Sequence, residues 1–146
     1  MLNSIFKTND DFAIFIARLA LGIVILHHGL QKLLGLFGGP GFSGTLNFFV
    51  QQGVPSIIAF LIIICESFGS IGLILGFLSR LAALGITLIM LGAILLVHLP
   101  NGFFMNWFGA QQGEGFEFHI LAIGLGIVIL IKGAGKWSID RSLVKD

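Results

Sequence analysis

Charge is what this sequence most lacks. Only 10% of its 146 residues are Asp, Glu, Lys or Arg, against roughly 25% in a soluble domain. The basic and acidic side chains nearly cancel to a formal charge of +1, so no nucleic-acid partner is expected. Tyrosine is absent, and cysteine occurs once, as Cys65. A single thiol excludes an internal disulfide and a Cys-x-x-Cys redox pair. There is no glycine-rich nucleotide loop, no Ser-His-Asp order and no Cys-rich cluster. That argues against a self-contained dehydrogenase or hydrolase. No His-x-x-His or Glu-x-x-His pair occurs either, and adjacent His27 and His28 point about 100° apart on a helix. No metal site is therefore assigned.

What is present is hydrocarbon. Apolar residues make up 56% of the chain, with 15 Phe and 21 Gly, and the mean hydropathy is +1.03. A chain this short cannot hide so much apolar surface in water, so it reads as an integral membrane protein. A span needs about 20 apolar residues. Segments at 12–34, 57–77, 81–99 and 116–131 qualify, giving an all-α, four-helix membrane bundle in one domain, 1–146. Asp10 and Asp11 precede the first apolar run and no small-x-small cleavage pattern follows it. The first segment is accordingly read as a retained span and not a signal peptide.

Basic residues set the expected orientation. Lys7 precedes the first span, Arg80 sits in the short turn between the second and third, and Lys132, Lys136, Arg141 and Lys145 follow the fourth. The other two connections, Gly35 to Ser56 and Pro100 to Gly115, contain no Lys or Arg. Both termini are expected in the cytoplasm of a bacterial-type inner membrane, with both long loops outside. Trp107 and Trp137 would then mark opposite interfaces. The loops are apolar: "GLFGGPGFSGTLNFFVQQGVPS" and "PNGFFMNWFGAQQGEG". In the first, Ser43 or Thr45 would cap a short helix through "LNFFVQQ". Together the loops either roof a cavity or anchor the protein at the interface. Gly72 and Gly76 form a G-x-x-x-G pair, read as internal packing or as an oligomer face.

Few ionisable groups lie within the spans. Arg18 is about two turns into the first and Glu66 is near the middle of the second. Each would cost about 2.5–3.5 kcal/mol at mid-bilayer. Pairing the two would lower both costs, as a structural brace or as a proton relay. A second polar layer falls on the outer side. His28 and Lys32 share a helix face, His98 ends the third span, and Glu114, Glu117 and His119 open the fourth. These are either polar helix ends or one shared site. As a site, His28, Lys32, His98, Glu117 and His119 could hydrogen-bond the oxygens of a quinone and pass protons. Cys65 reads as a small packing residue.

The ordered motifs then identify a family. Arg18 in "RLALG", "HHGLQKL", Glu66 in "ICESFGSIGLILG", Arg80 in "LSRLAALG", Glu117 in "GEGFEFHILAIG" and the closing "KGAGKWSID" follow one another in sequence. The chain resembles the DoxX family of small four-span membrane proteins over about residues 12–140. The resemblance implies a four-helix bundle. It supports Arg18, His28, Lys32, Glu66, Arg80 and Glu117 as motif positions, without assigning a catalytic residue. It also implies that "GAGKWSID" is a C-terminal cap, with Ser138 capping and Asp140 seated near Arg80 or Arg141. Some DoxX-like proteins act with thiosulfate:quinone oxidoreductase, and others associate with oxidative-stress or quinone-detoxification systems. The expected function is that of a quinone-linked subunit or accessory protein of a membrane oxidoreductase. With no redox centre of its own, it would need a bound cofactor or a partner subunit. The alternative class is non-enzymatic: a small transporter, a metal handler, or an assembly or structural partner.

Overall fold

The computed structural model describes residues 5–144; Lys145, counted above in the orientation argument, lies outside them. The described residues are helical with no strand. Helix α1 spans Phe12–Leu34. It starts where the Asp11 carboxylate accepts the backbone N–H of Ala13 at 2.8 Å, and it stops at Gly35 in a left-handed conformation. This is the usual pairing of an acidic N-cap with a glycine beyond the C-terminus. A short helix, α2, follows at Gly41–Gln51. Helix α3 (Ser56–Leu75) and helix α4 (Ser79–Asn101) are joined by a turn of three residues. Gly76 at φ +69° and Leu78 at φ +50° reverse the chain there. Helix α5 covers Glu117–Lys132 and a final turn, α6, covers Ile139–Leu143.

Helices α1, α3 and α4 contain 23, 20 and 23 residues and are long and apolar enough to cross a membrane. The 16-residue α5 rises about 24 Å, short of a hydrocarbon core of about 30 Å. Helix α5 is tied down at both of its ends. On one side Phe116 and Glu117 donate backbone bonds to Gly102 and Phe103, closing the second long loop on itself. On the other, the segment after Lys132 packs onto the start of α1, where Lys136 N–H meets the Asp11 carbonyl at 3.0 Å.

The bundle core is thin, as expected where lipid replaces water outside. Leu21, Ile25, Leu73, Ala83, Ile86, Met90, Ala122 and Ile129 form its buried cluster. Large apolar side chains such as Ile16, Leu88, Leu95, Leu121 and Ile131 cover the outside. Without a hydrophobic force between helices in lipid, close contact depends on small residues. The glycines at 22, 29 and 126 serve this purpose. A Cβ at Gly29 would lie 2.6 Å from the Glu66 carbonyl oxygen, and one at Gly22 would lie 2.9 Å from Ile74.

The G-x-x-x-G pair makes contacts within the chain. Gly76 lies against Ser138 and the Arg18 guanidinium, and Gly72 lies against the Phe77 carbonyl at the turn. The expected cap of α2 is also corrected. Neither Ser43 nor Thr45 caps it; both are inside the helix, and the Thr45 hydroxyl donates to the Lys32 carbonyl at 3.2 Å. That bond ties α2 to the end of α1. The helix packs on α1 and α3, so the first long loop folds back onto the bundle.

Candidate functional site

Two polar layers exist, and the structure reassigns their partners. Arg18 and Glu66 do not pair. Arg18 is fully buried, and its guanidinium donates to the carbonyls of Leu73 and Ile74 at the end of α3. It also reaches Ala134 at 2.9 Å and Trp137 at 3.1 Å in the C-terminal segment. A guanidinium has donors enough to satisfy several orphan carbonyls at once. Arg80 does the same for α5, donating to Leu130, Ile131 and the Lys7 carbonyl. Asp140 is paired with neither Arg80 nor Arg141. Its two carboxylate oxygens accept the N–H groups of Leu78 and Ser79, at 2.7 and 2.9 Å, and so cap the start of α4. Arg141 instead pairs with Asp10, and Ser138 caps α6 by accepting from Arg141 N–H. This first layer closes helix ends.

Glu66 belongs to the other layer. Its carboxylate is 2.5 Å from Lys32 Nζ, with the side chains 3% and 23% exposed respectively. The pairing follows from the close approach of α1 and α3 at Gly29, where Ser67 Oγ also donates to the Gly29 carbonyl at 3.1 Å. Lys32 lies one turn beyond Gly29 on the same face. Residues Cys65–Gly69 form a π turn within α3, a local widening that often accompanies functional positions.

A cavity of about 690 Å³ opens beside this pair, within the range of small-molecule sites. His28, Lys32, Cys65, Glu66, His98, Glu114 and His119 line it together with many apolar side chains. The two long loops roof it, through Phe48, Phe49, Gln52 and Val54 from the first and Met105 and Glu114 from the second. A second π turn, Ile94–His98, brings His98 to the wall. The His98 and His119 rings lie 4.1 Å apart between centroids. His98 Nδ1 is 2.8 Å from the Glu114 carbonyl. A carbonyl only accepts, so His98 Nδ1 carries a proton in this contact. His119 is 6% exposed, and its Nδ1 has no hydrogen-bond partner. His28 lies against Phe118, with ring centroids 5.8 Å apart.

Five of the expected site residues thus converge: His28, Lys32, Glu66, His98 and His119. Two do not. Arg18 belongs to the layer that closes helix ends. Glu117 is not on the cavity wall; its Oε1 accepts from Met105 N–H at 2.9 Å and Trp107 Nε1 at 3.1 Å, bracing the second loop. His27 also faces away, bonded to the Ile23 carbonyl and packed on Phe37. Cys65, read from sequence as packing alone, lines the cavity as well. No helical spacing could have shown that, because the π turn shifts the register there. Among the described residues, no group of three His, Cys, Asp or Glu side chains is placed to hold a metal ion.

Comparison with known proteins agrees with this architecture. The DoxX family model matches residues 13–99. The Bacillus subtilis (strain 168) protein named "Putative oxidoreductase CatD" is 32% identical over 139 residues, covering 94% of this chain and 92% of that one. The Escherichia coli (strain K12) "Inner membrane protein YqjF" is 30% identical over 142 residues, covering 95% and 98%. An uncharacterized membrane protein of Mycobacterium tuberculosis is also 30% identical, covering 88% of this chain and 79% of its own. No solved structure matches.

Proposed function

For this chain, which belongs to the DoxX family, we propose a role as a quinone-binding protein of a membrane oxidoreductase system. The observation that carries it is the cavity itself: a largely apolar chamber into which a few polar groups, among them Lys32, Glu66, His98 and His119, are set. A quinone is flat and apolar with oxygen acceptors at its edge, and it suits that division. Lys32 would donate to one oxygen while Glu66 keeps the ammonium in place. His119, whose ring lines the cavity, would meet another, and His98 would take or supply a proton through Nε2. A bound quinone would supply the electron and proton chemistry that no side chain here provides. Electrons would have to come from a partner oxidoreductase subunit. One relative carries the word oxidoreductase in its name and another is named an inner membrane protein, which supports the setting.

We further place the protein in a bacterial-type inner membrane as one domain, with both termini on the cytoplasmic side. This follows the distribution of Lys7, Arg80, Lys132 and Arg141. The Arg18 and Arg80 layer would then lie inside and the cavity toward the outer leaflet.

The test is direct binding. Purified protein in nanodiscs is titrated with a decyl-substituted benzoquinone. Lys32→Ala and Glu66→Gln are each expected to weaken binding by about tenfold or more, equivalent to about 1.4 kcal/mol. Unchanged affinity in both variants, with the fold intact by circular dichroism, would refute the site.

A further inference from the structure

Helices α3 and α4 are joined by a short turn and separate away from it. They stay in contact as far as mid-helix: a Cβ at Gly85 of α4 would lie 2.5 Å from Cys65 Sγ of α3. Farther out, Ser56–Ile64 of α3 packs on α2 and α1. The wedge left between α3 and α4 is occupied by the cavity, with Ile58 and Leu61 on one wall and Leu88 and Leu96 on the other. All four of these side chains are exposed, so the wedge is open. Along α4, Gly85, Leu88, Gly92 and Leu96 recur at helical spacing on one face. From Gly85 to Leu96 this face runs about 16 Å. The floor of the wedge is therefore the Lys32–Glu66 end of the cavity, and its mouth is lateral.

Gly92 marks the middle of the slot. It lines the cavity, and a Cβ placed there would meet no heavy atom within 4 Å. This distinguishes it from Gly22, Gly29 and Gly126, each of which lies against a neighbouring helix. Helix packing does not require a glycine at 92, so the open volume beside it is free for something else. An alanine there would narrow the slot without meeting a neighbouring atom.

We infer that the α3–α4 wedge is a lateral slot for the hydrocarbon tail of a membrane-dissolved prenylated quinone, with Gly92 setting the width that admits it. The inference rests on the quinone reading of the polar end. The occupant follows from continuity: the slot leads from the polar groups straight to the lipid-facing surface. A head held at Lys32 must leave its tail along this path. The ligand thus enters sideways from the bilayer, without crossing the aqueous loops.

The experiment compares two probes with one head group, a tailless benzoquinone and its decyl-substituted form, on protein in nanodiscs. Gly92→Trp grows into the slot from a position where a Cβ meets no heavy atom within 4 Å, and Leu96→Trp, one turn farther out, serves as the second variant. Both variants are expected to weaken the decyl probe by about tenfold or more while changing the tailless probe by less than about twofold. Equal weakening of both probes, or no weakening of either, overturns the slot. A co-purifying phospholipid chain that the decyl probe does not displace also overturns it. If neither probe binds the wild-type protein, the quinone reading itself fails, which is a separate outcome.

Discussion

The Lys32–Glu66 pair shows how far single residues can be read. Both were visible in sequence as polar groups in apolar helices, and each invited a partner. The choice of partner was not visible. Arg18 and Glu66 are the two deepest charges by position, yet Arg18 finds carbonyls at the end of α3, and Glu66 finds Lys32. A long flexible ammonium can reach inward along a helix, so depth in sequence misstates depth in space. Replacing Lys32 with Met would strand a carboxylate that is 3% exposed. Such a loss destabilises by about 3–5 kcal/mol. Adding Glu66→Leu removes the stranded charge and should restore much of that stability. Denaturant unfolding in detergent micelles measures both; a single variant costing less than about 1 kcal/mol would contradict a dry, coupled pair.

At the scale of elements, the helices themselves were legible because long apolar runs leave few alternatives in a membrane. Their contacts were not. The α1–α3 contact depends on Gly29, which sequence offered only as one glycine among many. Gly29→Val would drive its branched side chain into the Glu66 backbone, at a cost of about 1–3 kcal/mol or more for overpacking. It would also part Lys32 from Glu66. Gly124→Val, at a position with nothing within 4 Å, serves as the control. The expected result is a lower thermal midpoint and lost quinone binding for the first and near wild-type behaviour for the second. The two π turns, which place Glu66 and His98 on the cavity wall, have no periodic signature. They arise from packing, so their contribution to the site could not be read in advance. The helical stretch in the first long loop was readable from "LNFFVQQ", but its fastening through Thr45 to α1 joins two elements and so was not.

For the whole molecule, the proposed orientation yields a clean test. Cys65 is the only cysteine, so Cys65→Ser gives a thiol-free background. Gln111→Cys, in the exposed second loop, should then be labelled in intact cells by a membrane-impermeant maleimide. Labelling only after lysis would reverse the orientation and put the cavity toward the cytoplasm. The membrane class, the helical architecture and the polar composition of both layers follow from the sequence alone. They depend on apolar length and on where charges fall along the chain, both one-dimensional quantities. Only the tertiary structure decided that Arg18, Arg80 and Asp140 close helix ends while Lys32, Glu66, His98 and His119 face one chamber. Side-chain partners are chosen by distances between helices. Those distances depend on which glycines let two backbones meet, as Gly29 does, and which, like Gly92, open onto space instead.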